Sequence, residues 1–243
     1  MAARAITQFR GTDHACPYLP SRTAASAFVD PSLDLTPTVY ARLLAHGFRR
    51  SGSFVYRPLC PDCAACRAVR IAVDAFRPRR SQRRAWRDSA PALTLTPRPA
   101  AFDDDHFALY QRYLEARHPD GEMTSGDAGD YRRFLFADWG ETVCVELRIE
   151  GRLLAVAVTD VVPGALSAVY TFFDPAAEAL SPGVLAILAQ VELARRWGLP
   201  HLYLGYWIAD CRKMRYKSDY RPLDVLVDDA WRRVGPGERM PGG

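Results

Sequence analysis

Three closely spaced cysteines are the residues of this chain whose spacing most directly predicts chemistry. Cys60, Cys63 and Cys66 are separated by two residues each, and a C-x-x-C pair places two sulfurs where they can share one tetrahedrally coordinated metal. Cys16, followed by Pro17, is the candidate for a distant fourth ligand. The pattern therefore predicts a Zn²⁺ ion or an iron–sulfur cluster, both of which accept four thiolates. The alternative is a loop of small, partly buried cysteines that hold no metal.

The remaining cysteines and the chain's apolar content indicate the compartment. Cys144 and Cys211 lie in or after predicted strands, so we interpret them as packing residues. Six cysteines in 243 residues, three of them bunched, are more typical of thiolate chemistry in a reducing compartment than of disulfide cross-links. No apolar stretch is long enough to cross a membrane, and the N-terminus lacks the layout of a secretory signal. We expect a cytoplasmic protein without a membrane partner.

A cluster of arginines predicts a second functional surface. A helix beginning near Pro78 would carry four of them within its first two turns, namely Arg79, Arg80, Arg83 and Arg84. Like charges at this spacing destabilise a helix unless an anion binds them. Phosphate is the usual partner, because the planar guanidinium matches phosphate oxygens. We interpret the cluster as a nucleic-acid contact, the alternative being a solvated basic face.

The distribution of charge along the chain supports the nucleic-acid interpretation. Residues 1–99 hold 16 Arg and no Lys against 6 Asp, a net charge of +10. Residues 100–243 have a net charge of −6. A basic N-terminal part joined to a mildly acidic C-terminal part suggests that a polyanion is contacted mainly from one side.

The elements that must position these groups are organised around residues 142–217. Alternation over 143–149 predicts a half-buried strand, and the unbroken apolar run over 153–158 predicts a central one. A strand over 166–172, a helix with apolar residues at helical spacing, and a strand over 202–207 follow. Three antiparallel strands, a helix and a returning strand predict an α/β (α+β) core with a binding cleft at its edge.

The rest of the chain contains shorter predicted elements. They are helices over 38–46, 103–117 and 131–136, a strand or hairpin over 48–56, a strand over 69–73 and one more amphipathic piece around 225–227. Residues 89–102 fit either a linker or a single strand. We divide the chain into a smaller, basic, cysteine-bearing domain over residues 1–98 and a larger domain over residues 99–243.

Several short stretches resemble those of the aminoacyl-tRNA–protein transferases, and most closely the short bacterial branch of that family, the aspartate/glutamate leucyltransferases. Besides the cysteine run, they are CPYLP (16–20), GFRRSG (47–52), RSQRR (80–84), RHPDG (117–121), AVAVTD (155–160), SAVYTFFDP (167–175), YLGYWI (203–208) and MRYK (214–217). They span nearly the whole chain in the family's order, which is more specific than any single motif.

One stretch departs from the family's pattern. Where these proteins usually carry an Arg-Ser-x-Gly-like start to the long helix, this chain has LSPG over residues 180–183. A side chain at Leu180 is therefore not expected to hold a phosphate. Gly183 and the helix N-terminus are expected to do so through main-chain N–H groups.

The resemblance implies a fold and a reaction. The larger domain would have the fold of Gcn5-related N-acetyltransferases. The reaction would transfer leucine from leucyl-tRNA to the α-amino group of proteins that begin with Asp or Glu, which marks them for degradation by the bacterial N-end rule pathway. Because the donor is an activated ester, no cofactor is required for the transfer itself.

The implied reaction needs particular groups in the cleft. The acceptor amine, whose pKa is about 8, must lose a proton before it attacks. As proton acceptors or polar orienting groups we predict Asp160, Tyr170 and Tyr206, which lie at or near the ends of core strands. Each has an alternative role, as a turn residue or as a core aromatic residue.

The acidic side chain of the acceptor requires a cation. Lys213, Arg215 and Lys217 follow the last core strand, and the two lysines are the only ones in the chain. They are predicted to contact either the acceptor's carboxylate or the terminal phosphates of the tRNA, the alternative being ordinary surface charge.

Three other functions fit part of the sequence. An arginyl-tRNA–protein transferase would use a different amino acid in the same reaction. An acyl-CoA-dependent N-acyltransferase would explain the core but not the basic half or the cysteines. A non-catalytic, zinc-bearing RNA-binding module would explain the N-terminal half but leave the cleft unused.

Overall fold

The computed structural model describes residues 6–117, 119 and 126–241, and the elements below lie within them. The strands are β1 (Gln8–Arg10), β2 (His14–Ala15), β3 (Thr23–Ala24), β4 (Ser26–Val29), β5 (Arg49–Ser51), β6 (Phe54–Pro58), β7 (Arg67–Ala72), β8 (Leu93–Pro99), β9 (Glu141–Ile149), β10 (Arg152–Val162), β11 (Ala165–Phe173), β12 (His201–Trp207), β13 (Leu223–Val227) and β14 (Ala230–Val234). The helices are α1 (Pro37–Ala45), α2 (Arg80–Ser89), α3 (Asp104–Arg117), α4 (Ala128–Leu135), α5 (Pro182–Arg196) and α6 (Arg212–Arg215). None of the described helices is both long enough and apolar enough to span a membrane.

An eight-stranded sheet forms the centre of the molecule, in the order β14-β13-β7-β12-β11-β10-β9-β8. Strands β9, β10 and β11 are antiparallel neighbours, and α5 then returns the chain so that β12 lies parallel to β11. The predicted order of three antiparallel strands, a helix and a returning strand is confirmed, as is the mixed α/β class.

Both faces of the sheet are covered at β10, which accounts for its unbroken apolar sequence. Ala155 and Ala157 belong to the core that includes α5, whereas Val156 and Val158 belong to the core that includes α3 and α4. Successive side chains of a strand point to opposite faces, so a strand buried on both sides needs apolar residues at every position.

Polar side chains define where two of the helices begin. Thr36 Oγ1 accepts a hydrogen bond from the Val39 N–H before α1, and Asp127 accepts one from the Asp130 N–H before α4. These bonds satisfy amides that have no acceptor within the helix.

Strands from the N-terminal part of the chain enter the large sheet. β7 lies between β13 and β12, and β8 pairs with β9. The segment 89–102, for which a linker and a strand were alternatives, therefore contains the strand β8. The predicted domain boundary between residues 98 and 99 stays a prediction, and it does not coincide with a change of sheet.

A four-stranded sheet, in the order β1-β4-β6-β5, belongs to the N-terminal part, and β5 and β6 are the predicted hairpin. At their turn, Gly52 has a φ of +57° and donates its N–H to the carbonyl oxygen of Phe134 at 2.9 Å. A Cβ at residue 52 would overlap the main-chain oxygen of Arg133. The turn therefore docks on the end of α4, which fixes β5 relative to the rest of the molecule.

Candidate functional site

Strands β11 and β12 pair along only part of their length and then diverge. Their parallel pairing runs from Ala165 with His201 to Ser167 with Tyr203. Beyond that point neither strand pairs with the other, and we call the opening between them the fork. Main-chain polar groups that face the fork need partners other than the neighbouring strand. Inside the large sheet, the fork is therefore a place where a ligand can meet main-chain donors and acceptors.

The side chain of Arg49, on β5, lies in the fork. Its Nη2 donates to the main-chain oxygens of Ala168 at 3.4 Å and Val169 at 3.1 Å, both on β11. On the β12 side its guanidinium carbon lies 5.9 Å from the centre of the Tyr206 ring. Gly205, with a φ of +78°, faces the guanidinium so closely that a Cβ there would overlap it. The positive φ favours glycine at residue 205, and a larger residue there would have to displace the Arg49 guanidinium.

Arg50, the next residue of β5, forms a buried ion pair with Asp160. Its Nε and Nη2 donate to the two carboxylate oxygens at 2.7 and 2.6 Å, and the Thr142 hydroxyl donates to one of them at 2.8 Å. The two charged side chains are 1% and 5% exposed. Asp160 is thus engaged through both oxygens, and the catalytic role predicted for it stays a prediction.

Tyr206 joins β12 to the turn that precedes β5. Its buried hydroxyl donates to the main-chain oxygen of Gly47 at 2.8 Å. Burial, and then the neighbouring phenol of Tyr56, raise the pKa of Tyr206 well above its ordinary value. The hydroxyl predicted to be catalytic therefore has a structural partner, and its role in the reaction also stays a prediction.

Lys217 is buried against the C-terminal end of β12. Its Nζ donates to the Tyr206 main-chain oxygen at 2.5 Å and contacts the Met214 sulfur at 3.2 Å. Burial, followed by the charge of Arg49, lowers the pKa of Lys217 to about 7. Of the three cations predicted after the last core strand, Lys217 is therefore the one brought near the fork. Lys213 and Arg215 are exposed on α6.

Tyr170 lies on β11 beyond its last pair with β12. The half-buried ring packs edge-on against Phe134 and Tyr113, at centroid distances of 5.2 and 6.3 Å. Burial, followed by the neighbouring phenol of Tyr113, raises the pKa of Tyr170. The three residues predicted to act as proton acceptors or orienting groups thus occupy three different environments: an ion pair, a hydrogen bond to the turn before β5 and an aromatic cluster.

The four predicted arginines lie together on a groove of 1190 Å³ between α2 and α5. The charged residues that line it are Arg79, Arg80, Arg83, Arg84, Arg87, Glu192 and Arg195. Arg79 pairs with Asp219 at 2.8 Å. Arg80 and Arg84 have no carboxylate partner within the described ranges. The groove is therefore strongly cationic, and it includes the half-buried ring of Trp86.

A smaller cavity of 240 Å³ connects the same arginines with the N-terminus of α5. Arg79 and Arg84 line it together with Leu180, Ser181 and Val184. Gly183 lies in the first turn of α5, where an added Cβ would approach the Phe173 ring at 3.6 Å. The predicted phosphate contact at Gly183 stays a prediction.

The four cysteines predicted as metal ligands line one cavity of 270 Å³, and all are half-buried free thiols; they are Cys16, Cys60, Cys63 and Cys66. Burial and the neighbouring thiols raise the pKa of Cys66 to about 12. Across residues 6–117, 119 and 126–241, no three His, Cys, Asp or Glu side chains are already placed as a metal-binding group. The donor set suits a soft metal, because a cation in the cavity would stabilise the thiolates. The metal or cluster stays a prediction.

The sequence interpretation did not identify Arg49 as a site residue. The signal available was the Arg49-Arg50 pair in a predicted strand, because adjacent strand residues point to opposite faces. One of the two could pack inward against a carboxylate while the other faced the cleft.

Comparison with known proteins shows similarity along nearly the whole chain. The family model described as the N terminus of arginine-tRNA-protein transferase matches residues 14–84, and the model for its C terminus matches residues 105–227. The aspartate/glutamate leucyltransferase of Hahella chejuensis is 48% identical over 228 residues, which are 94% of this chain and 97% of that protein. The protein of the same name from Halorhodospira halophila is 50% identical over 234 residues, 96% of this chain and 99% of its own.

Likeness to solved structures is weaker. The structure of L-PGS from Bacillus licheniformis is 12% identical, covers 59% of this chain and 47% of that chain, and has a TM-score of 0.44. Similarity at this level is too low to support a conclusion about the fold.

Proposed function

The chain belongs to the arginine-tRNA-protein transferase family, and from this we propose that it transfers leucine from leucyl-tRNA to the α-amino group of proteins that begin with Asp or Glu. One observation carries the proposal. Relatives that are 48% and 50% identical along almost the full length of both chains are named aspartate/glutamate leucyltransferase. The chain is therefore a transferase. The leucine that it adds would mark the acceptor for degradation by the bacterial N-end rule pathway.

Arginyl transfer is the second candidate, because the two matching family models carry arginine in their descriptions. The names of the nearly full-length relatives favour leucine over arginine.

For the C-terminal part we propose an arrangement like that of the Gcn5-related N-acetyltransferases. Support comes from the antiparallel strands β9 to β11, the crossover helix α5, and the parallel strand β12 that diverges from β11. In this arrangement the fork is the place where donor and acceptor meet.

At the fork, the neutral α-amine of the acceptor would attack the carbonyl carbon of the aminoacyl ester. As the C–N bond forms and the C–O bond to the tRNA 3′ oxygen breaks, the attacking nitrogen gives up one proton and the leaving 3′ oxygen takes up one to become a hydroxyl. Two cations, Arg49 and Lys217, favour the reactive form, because nearby positive charge lowers the pKa of a bound amine. Main-chain groups of the diverging strands would hold the reactants in place, which supplies a large part of the acceleration in such a reaction. Tyr170 remains the candidate for a hydroxyl that orients the ester.

The groove between α2 and α5 is the surface that we propose for the tRNA. Its arginines supply the charge that a phosphate backbone requires, and Arg80 and Arg84 are free of carboxylates in the described chain. The small cavity at the start of α5 continues this surface toward main-chain N–H groups that suit a phosphate.

For the cysteine cavity we propose a Zn²⁺ ion or an iron–sulfur cluster held by Cys16, Cys60, Cys63 and Cys66. Such a group would cross-link the N-terminal loop to the segment that leads into β7, and the transfer itself does not require it. We also propose a cytoplasmic location, where leucyl-tRNA and free thiols are both found.

The proposal is tested by a transfer assay on the purified protein. Peptides that begin with Asp, Glu or Arg are each mixed with leucyl-tRNA, arginyl-tRNA or acetyl-CoA, and the products are read by mass spectrometry. We expect a gain of one leucine on the Asp and Glu peptides alone. A gain of arginine would favour the second candidate, and acetylation or no product would contradict the proposal.

A further inference from the structure

Arg49 carries a positive charge for which the described residues supply no carboxylate. The hydrogen bonds that its side chain makes to them run from Nη2 to the main-chain oxygens of Ala168 and Val169. Arg50, by contrast, engages both oxygens of Asp160. Within the part of the chain that the structure describes, the Nε and Nη1 donors of Arg49 therefore lack an acceptor. A half-buried guanidinium with free donors is suited to binding an anion.

Burial partly withdraws the Arg49 guanidinium from water, and the described residues give it no carboxylate in return. The titratable side chains that influence it most are phenols, namely Tyr18, Tyr40, Tyr56 and Tyr206. Lys217 is buried beside the same part of β12, where its Nζ donates to the main-chain oxygen of Tyr206. While Lys217 is protonated, its charge and that of Arg49 repel one another, and an anion bound to Arg49 would reduce that repulsion.

We propose that Arg49 binds the side-chain carboxylate of the acceptor's N-terminal Asp or Glu, and so sets the preference for acidic acceptors. This inference rests on the proposed function, which brings an acidic acceptor to the fork. Main-chain groups of β11 and β12 lie beside Arg49 and can hydrogen-bond to an extended acceptor peptide. The free N–H groups of the guanidinium match the two oxygens of a carboxylate. A neutral amide offers one oxygen and no charge.

The test compares two peptides that differ only in their first residue, Asp or Asn. In Arg49→Gln we expect the ratio of kcat/KM for the Asp peptide over the Asn peptide to fall by about 30-fold or more, mainly through KM for the Asp peptide. The Asn peptide should lose far less, and mainly in kcat, because only the effect of Arg49 on the pKa of the acceptor amine acts on it. Arg49→Lys keeps the charge but loses the planar geometry, so its ratio should be intermediate. Arg232→Gln, at an arginine that is 60% exposed on β14, should keep the wild-type ratio.

Two results would overturn the proposal. Equal losses on both peptides would show that Arg49 acts without binding the acceptor's carboxylate. An unchanged ratio with a higher KM for leucyl-tRNA would assign Arg49 to a phosphate of the tRNA. If circular dichroism shows that Arg49→Gln does not fold, the ratio is measured in Arg49→Lys and Gly205→Ala, where a wild-type ratio would again overturn it.

Failure of the proposed function would look different. Wild-type protein would then transfer no leucine to either peptide. Calorimetry of peptide binding then decides the role of Arg49. Tighter binding of the Asp peptide than of the Asn peptide, lost in Arg49→Gln, supports that role, and equal binding of the two peptides overturns it.

Discussion

Arg49 and Gly205 compete for the same space: the guanidinium lies where a side chain at residue 205 would have to be. Gly205 also has a φ of +78° and lies at the register shift where β12 pairs with β7. An irregularity of this kind, combined with the missing Cβ, lets a second segment of backbone or side chain approach the strand closely. The position of Arg49 is therefore set by β12 as much as by its own strand.

Gly205→Ala should displace the guanidinium from the fork. We expect the positive φ to cost about 1–2 kcal/mol of unfolding free energy, and transfer to Asp peptides to fall at least about 10-fold. Gly151→Ala is the control, because its φ is +81° and nothing lies within 4 Å of its Cβ. Urea unfolding and the transfer assay measure both variants. Equal activity of the two variants at equal stability would contradict the arrangement of the fork.

Asp160→Asn should mainly lower the free energy of unfolding, rather than the catalytic rate of the folded protein. Removing one charge of the buried pair leaves Arg50 uncompensated, which typically costs about 3–5 kcal/mol. The double variant Arg50→Met, Asp160→Leu should be less destabilised than Asp160→Asn, because it leaves no buried charge. Activity is measured per folded molecule. A variant of wild-type stability that has lost most of its kcat would instead make Asp160 a catalytic residue.

Arg80→Gln combined with Arg84→Gln should weaken tRNA binding and reduce its dependence on salt. If both arginines contact phosphates, the slope of log K against log salt should become shallower by about 1.5–2. Arg196→Gln serves as the control, since Arg196 pairs with Glu192 at 3.1 Å and does not line the groove. Fluorescence anisotropy at several salt concentrations gives the slopes. An unchanged slope would mean that this face of α2 is only solvated.

Lys217→Met should change how stability depends on pH. The unfolded chain keeps the Lys217 proton up to the ordinary pKa of 10.5, whereas the folded chain loses it at about 7. Folding therefore releases a proton between these values, so stability rises with pH across that window. The cost of burying the ammonium is fully present below it.

Relative to wild type, Lys217→Met should thus be most stabilised at low pH and lose that advantage by up to about 1.4 kcal/mol per pH unit above about pH 7. Urea unfolding across the window checks this, with Lys213→Met at an exposed site as the control. Parallel stability profiles for Lys217→Met and wild type would show that Lys217 keeps its ordinary pKa in the fold.

Cys63→Ser should lower the content of bound zinc or iron and destabilise the N-terminal part, because a four-thiolate site loses one ligand. Cys144→Ser, at a buried cysteine of β9, is the matched control and should keep the metal. Elemental analysis of protein purified without oxygen measures the content. Wild-type protein with neither metal would rule out the site.

Local patterns were sufficient to predict most of the core. The alternation in β9, the apolar run of β10 and the helical spacing in α5 depend on neighbours within a few residues, and each gives a burial pattern that the sequence displays. The identity of the transferred amino acid could not be predicted from such patterns. Leucine came from the family resemblance, since no pattern of burial or charge distinguishes one aminoacyl group from another.

Long-range pairing was beyond those patterns. Arg50 and Asp160 are 110 residues apart, and nothing local in either segment specifies that they meet. Asp160 was therefore predicted from its position near a strand end, without its partner. The same limitation applies to β7, whose sequence predicts a strand but not its place between β12 and β13.

The contact between the β5–β6 turn and α4 also decides where the molecule can be labelled. The small residues around Gly52 make this hairpin look suitable for a tag or a fluorophore. The bond from Gly52 to Phe134 and the absence of room for a Cβ mean that an insertion there would shift β5, and Arg49 with it. The turn at Gly151 has open space around it. A probe attached there would leave the hairpin in place and report binding at an undisturbed fork.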